Sequence, residues 1–199
     1  MSAETSPPDG AARLLDAALR VIGRKGLDGL THRAVAAEAG MSLGAVTHRF
    51  GKREGLADAA LAHAVSREVA RAARLDAAAA PSPDLAAWAA AVARHFRREL
   101  SEDPDLHLAC YEALLSAARD PRRRPLVAEW AAAWEAGPRR ALTAAGAPSP
   151  ARAAALMRDA MVGRILRALA QGENGEALET ALATEVHALA LALRDLPAD

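Results

Sequence analysis

Between Ala36 and Phe50 the chain reads AAEAGMSLGAVTHRF, a helix-favouring run cut once, at Gly40-Met41-Ser42, and resumed at once. Two short helices joined by a tight glycine turn make a helix-turn-helix. Val35, Ala36 and Ala39 can face inward from the first helix, and Gly40 supplies a residue able to adopt positive φ. Met41 plugs the corner, while Val46 and Phe50, four apart, seat the second helix against the first. The break is therefore the turn itself, and it swings Leu43–Arg49 outward.

The rest of the sequence points the same way. About half the residues are apolar (52%), only six are aromatic, and no stretch alternates as a strand would. The chain is expected to be all-α: an N-terminal three-helix unit carrying the helix-turn-helix, then a larger helical domain. Helices are expected over Gly10–Lys25, Thr31–Ala39, Ser42 (as cap) to Phe50, and Arg53 to about Leu75. After a loop marked by Pro81 and Pro83 come Asp84–Leu100, Pro104–Ala118, Pro121–Ala145 (interrupted near Gly137-Pro138), Pro150–Gln171 and Gly175–Leu196. Residues 1–9 read as a disordered tail, 10–56 as the helix-turn-helix domain and 57–199 as the larger domain.

The first of these domains carries its charge unevenly. From Ala11 to Leu56 there are eight basic residues against four acids, whereas the remainder holds 17 basic against 21 acidic. A basic quarter on an otherwise acidic chain suggests that one end meets a polyanion. The polar, proline-broken stretch MSAETSPPDG offers no apolar run that could serve as a signal peptide, the longest apolar runs are about half of what a bilayer span needs, and a single cysteine, Cys110, cannot form an internal disulfide. The expectation is a cytoplasmic protein with no membrane partner.

In a helix-turn-helix the N-terminal part of the second helix enters the major groove of double-stranded DNA. Behind its cap, Ser42, the outward residues are Leu43, Gly44, Ala45, Thr47, His48 and Arg49. Leu43 and Ala45 can offer only apolar contact, and His48 and Arg49 can donate to bases or phosphates. Gly44 makes sense if backbone must approach DNA closely. Thr31, His32 and Arg33 open the preceding helix and Lys52 and Arg53 flank the next, so these five are expected on phosphates.

The stretch LLDAALRVIGRKGLDGLTHRAVAAEAGMSLGAVTHRFGKREGL, Leu14–Leu56, resembles the DNA-binding domain of TetR-family transcriptional repressors. Where that family often carries tyrosine this chain has Thr47, with His48 following. The resemblance implies that the residues from about Ala57 onward form an effector-binding and dimerisation domain, with the last two helices pairing across a two-fold axis. The residues support such a face, because Leu178, Leu182, Val186, Leu189 and Leu193 recur at helical spacing, as do Leu156, Ala160 and Gly163 in the helix before. Two-fold pairing places two reading helices about 34–36 Å apart, matching a palindromic operator.

Candidates for an effector pocket are the scarce large or polar residues of the middle helices: Trp88, His95, Phe96, His107, Cys110, Tyr111, Trp130 and Trp134, with Met157 and Met161 on a far wall. His107 and Cys110 are too few to hold a metal, and no cofactor is implied. Carboxylates look scattered and exposed, and no hydrolase, P-loop, dinucleotide or metalloprotease motif is present. The reading is a homodimeric, ligand-responsive transcriptional regulator, a repressor released by an unknown small molecule, and not an enzyme. The alternatives are a constitutive DNA-binding protein without effector and an enzyme with a DNA-binding appendage.

Overall fold

The structure is a computed structural model describing residues 10–79 and 84–197. The tail at 1–9 and the loop prolines Pro81 and Pro83 lie outside the described residues. Among the described residues there are nine α-helices and no strand: α1 Gly10–Lys25, α2 His32–Ala39, α3 Leu43–Phe50, α4 Arg53–Ala78, α5 Leu85–Glu102, α6 Pro104–Arg119, α7 Arg124–Ala144, α8 Pro150–Gln171 and α9 Gly175–Arg194. Short 3-10 turns, Leu27–Gly29 and Pro121–Arg123, precede α2 and α7. The last of these differs from expectation, since Asp120 caps a 3-10 turn at Pro121 before the α-helix begins. Helix α7 also runs unbroken through Gly137-Pro138. Proline at that point forfeits one backbone hydrogen bond, the one its N–H would give to the Trp134 carbonyl, without ending the helix.

The helices form two compact units: residues up to Ser66 with Asp105–Val127, and Arg67–Pro104 with Ala128 onward. The boundary expected at Leu56/Ala57 falls inside α4, which continues without a break from the first unit into the second.

The first unit buries one apolar core. Leu14, Ala18, Leu19 and Ile22 of α1 meet Val35 and Ala36 of α2, Val46 of α3, and Leu56, Ala60 and Leu61 of α4. Met41 and Phe50 pack partly buried against its edge. Helix α6 joins this core through Leu106, Ala109, Cys110 and Ala113, an i, i+3, i+4, i+7 stripe. A Cβ on Gly23 of α1 would lie 2.6 Å from the Cα of Asp105, so α6 meets α1 at a distance that only glycine permits. In the second unit α5 and α9 pack along their lengths. Helix α5 buries Leu85, Trp88, Val92, Phe96 and Leu100, and α9 buries Leu178, Leu182, Val186, Ala190 and Leu193.

Candidate nucleic-acid interface

The turn between α2 and α3 is built by backbone hydrogen bonds. Gly40 closes α2 at φ 62°, ψ 35°, and its N–H donates to the Ala37 carbonyl while that of Met41 donates to Ala36 at 2.9 Å. This is a Schellman closure, which a side chain at the left-handed position disfavours. Two hydroxyl caps then fix the helix starts. Thr31 Oγ1 accepts from the Ala34 N–H at 3.1 Å, and Ser42 Oγ accepts from Ala45 at 3.2 Å. Arg20 holds α2 against α1 by donating from Nε to Glu38 at 2.6 Å, and Arg24 reaches the other oxygen of that carboxylate at 3.2 Å. The Arg20 hydrogen bond holds the Glu38 carboxyl below its ordinary value.

Above this frame Ser42, Leu43, Gly44, Thr47, His48 and Arg49 are exposed and Ala45 is half-buried. Leu43 keeps 47% of its surface in solvent although it is a large apolar residue. A Cβ on Gly44 would meet only Ser42 Oγ, at 3.9 Å, so nothing within the chain requires glycine there. The Thr47 hydroxyl donates to the Leu43 carbonyl at 3.1 Å. Thr31, Arg33 and Lys52 are exposed around the same helix.

Two of the expected phosphate residues also have surroundings within the chain to account for, and Arg53 is exposed. Arg53 donates from Nε to the Leu30 carbonyl at 2.9 Å and from Nη2 to the carbonyls of Leu27 and Asp28 at 2.8 and 3.2 Å. Its guanidinium is thus bound to the loop before α2, where the carbonyl of Leu27 also accepts from the Leu30 N–H within the 3-10 turn. His32 is half-buried, and its Nε2 is enclosed with no hydrogen-bond partner.

The expected effector residues divide between the units. His107, Cys110 and Tyr111 lie on α6 in the first unit, where His107 and Cys110 are buried and Cys110 belongs to the apolar core. Trp88, His95, Phe96, Trp130, Trp134, Met157 and Met161 belong to the second. There His95, Phe96 and Trp134 meet ring to ring, with Phe96 and Trp134 stacked at 5.3 Å and His95 at 5.9 Å from Trp134. A surface groove of about 510 Å³ between α5 and α9, bridged by Arg97 and Glu179, is lined by none of these aromatics.

Beside the aromatic trio lies a cluster that corrects the expectation of scattered, exposed carboxylates. Arg71, buried on α4, donates to Glu68 (3.2 Å), Glu99 (2.7 Å) and Asp103 (3.1 Å), and Glu68 and Glu99 are themselves buried. Glu68 Oε2 also accepts from Trp134 Nε1 at 3.2 Å. A signal existed in the spacings, since Glu68 and Arg71 share a helix face, as do Glu99 and Asp103.

The apolar stripe of α9 also differs from expectation. Leu178, Leu182, Val186 and Leu193 are buried within their own chain because α5 needs that cover, and Leu189 is half-buried. On α8, Leu156, Ala160 and Gly163 are exposed. A Cβ on Gly163 would meet nothing within 4 Å.

The family described as "Bacterial regulatory proteins, tetR family" matches residues 14–60, and "Tetracyclin repressor-like, C-terminal domain" matches residues 83–192, more than half of the chain. The chain belongs to the TetR family. It is accordingly a DNA-binding transcriptional regulator and not an enzyme.

Relatives of this TetR-family chain bear on each half differently. The "HTH-type transcriptional regulator BetI" of Burkholderia thailandensis is 43% identical over 72 residues, 36% of this chain and 37% of that relative. The likeness to this curated relative thus spans little more than a third of its length. A TetR-family structure from Streptomyces coelicolor A3 is 31% identical with a TM-score of 0.69, covering 96% of this chain and 100% of that one. The multidrug binding protein EbrR, in a complex with ethidium, is 30% identical with a TM-score of 0.65, covering 96% and 100%. Further structures of EbrR hold proflavin and malachite green. Among the described residues no helix is long and apolar enough to cross a membrane.

Proposed function

We propose that the chain is a repressor that binds a palindromic operator as a homodimer and is released by a small aromatic molecule. The exposed, doubly capped α3 carries the reading. It presents Leu43, the Gly44 backbone, Ala45, Thr47, His48 and Arg49, with Thr31, Arg33 and Lys52 beside it for phosphates. Three of the five exposed large apolar side chains among the described residues, Leu156, Leu166 and Leu191, lie on α8 and α9. They support a dimer face formed by Leu156, Ala160, Gly163 and Leu166 of α8 with Leu191 of α9, in place of the buried α9 stripe. The dyes bound by EbrR support an aromatic effector, and the aromatic trio supports the second unit as its seat. Because α4 runs from the first unit into the second, an effector that alters its second half acts on the DNA-binding unit through one continuous helix. The switch requires an effector that prefers the conformation not suited to DNA.

The test is selection of binding sites from random duplex DNA with the purified protein, followed by titration of the selected duplex with a panel of aromatic small molecules. A palindromic consensus and release by one member of the panel are expected. An asymmetric consensus contradicts the dimeric reading, and persistence of the complex across the panel contradicts the effector reading.

A further inference from the structure

The second unit buries a cluster of ion pairs beside its aromatic rings. Three carboxylates, Glu68, Glu99 and Asp103, surround the buried guanidinium of Arg71; Glu68 and Glu99 are 2% and 6% exposed, and the more exposed Arg67 and Arg98 also reach Asp103 at 3.2 Å and Glu99 at 3.4 Å. Burying such ions costs a desolvation penalty that apolar side chains of the same volume avoid, so their presence suits a task other than stability. Against them stands the aromatic trio. Phe96 and Trp134 stack with 25° between their planes, His95 meets Phe96 edge-on at 5.5 Å, and Trp134 is tied to Glu68 through its indole N–H.

We propose that this cluster is the effector's seat and that the effector is a planar organic cation, which takes Glu68 and Glu99 over from Arg71 while lying on the faces of Trp134 and Phe96. The proposal rests on the reading of the chain as a ligand-responsive regulator. A guanidinium is itself a planar cation held by carboxylates, so Arg71 marks the position and charge that a ligand cation would assume. Aromatic faces add to the attraction for a cation once water is excluded. An anion would meet two buried carboxylates there.

The wall formed by α7 is suited to admit such a molecule. From Trp130 to Pro138 no residue is fully buried, although α5 opposite buries Trp88, His95 and Phe96. One turn before Trp134, the Nε1–H of Trp130 is enclosed and finds no acceptor. Pro138 has no N–H for the Trp134 carbonyl, so α7 is held more weakly where it carries the indole. Glu68 and Arg71 lie within two turns of Ser66, where α4 leaves the first unit. Exchange of Arg71 for a ligand therefore releases α4 from Glu99 close to that point and leaves Arg67 as its remaining tie to Asp103 on α5.

The probes are proflavin, a planar cation, and acridine, the same ring system uncharged at mildly alkaline pH. Binding to the full chain is followed by calorimetry without DNA, for the natural protein, Glu68→Gln and Arg71→Lys. Glutamine keeps an acceptor for Trp134 and removes the charge; lysine keeps the charge but offers one nitrogen where arginine offers several. The natural protein should bind proflavin at least tenfold more tightly than acridine. Glu68→Gln should lose about tenfold in proflavin affinity and leave acridine unchanged, whereas Arg71→Lys should bind proflavin more tightly. Circular dichroism establishes that each variant is folded, and Glu99→Gln replaces Glu68→Gln if the latter is not. No binding of proflavin, equal binding of both probes, or proflavin affinity unaltered in the glutamate variant overturns the proposal. Charge-dependent proflavin binding that leaves operator affinity intact, with an intercalation control on DNA alone, contradicts the ligand-responsive reading and leaves the site standing. Release from the operator by uncharged aromatics alone overturns the site and leaves that reading standing.

Discussion

Arg53 Nε lies 2.9 Å from the carbonyl oxygen of Leu30, so the first residue of α4 holds the residue that precedes the Thr31 cap of α2. The same guanidinium reaches the carbonyls of Leu27 and Asp28. A single side chain thereby fixes the loop from which α2 points its N-terminus outward. Arg53→Lys cannot reach three carbonyls with one nitrogen and should lower stability by about 1 kcal/mol, the order of one lost hydrogen bond. Its operator affinity should fall while the dependence of log K on log salt keeps its slope. A slope reduced by about one, as for the loss of a phosphate contact, would instead assign Arg53 to DNA.

Gly44 separates stability from binding. A Cβ there meets only Ser42 Oγ at 3.9 Å, so Gly44→Ala should raise stability by about 0.5–1 kcal/mol through the lower entropy of the unfolded chain. If backbone at this position approaches DNA closely, the same variant should bind the operator more weakly. Thermal melts and operator titrations on one preparation decide it: a rise in both quantities removes Gly44 from the interface.

Gly163 poses the same question for the second copy. It is exposed in the middle of α8, and a Cβ would have nothing within 4 Å. Gly163→Leu should leave the fold intact and shift sedimentation from dimer toward monomer, because the added side chain lies where two helices must meet closely. An undisturbed dimer moves the two-fold contact away from this face of α8.

The hydrogen bond from Arg20 gives the α1–α2 contact a definite pH dependence. It lowers the Glu38 carboxyl in the folded chain, so the contribution to stability is present above the ordinary glutamate value of about 4.3 and is lost as pH falls through the lower folded value. The pair is half-buried at the surface and, with solvent screening, its worth is about 0.2–1 kcal/mol. Chemical denaturation of the natural protein and Glu38→Gln should differ by this amount at neutral pH and converge in acid. A difference that grows toward low pH contradicts the assignment.

How far the sequence was legible depended on how local the cause was. The turn at Gly40 and the caps Thr31 and Ser42 were readable because each acts within a few residues of itself. The fate of Arg53 was not, since the carbonyls it binds lie more than 20 residues earlier and come within its reach only when the chain closes into a 3-10 turn. Leu178, Leu182, Val186 and Leu193 were rightly seen as an apolar stripe, but spacing cannot say whether α5 or a second copy covers it. Cys110 went to the first unit for a comparable reason: Gly23 opens α1 to a close approach by α6, a consequence visible only in three dimensions. The Arg71 cluster joins α4, α5 and α7, and its same-face pairs Glu68/Arg71 and Glu99/Asp103 were the only local trace of it.

Ala45→Glu puts the DNA-reading role of α3 to the most direct test. With Ser42 as cap, glutamate three residues on completes a capping box, so the variant should fold at least as well as the natural chain. The same carboxylate faces the groove that α3 is held to read. Titration of the selected duplex at fixed low salt, with sedimentation in parallel, should show affinity reduced by about a hundredfold or more and the dimer unchanged. Undiminished affinity in a folded, dimeric Ala45→Glu protein would mean that DNA docks on another surface.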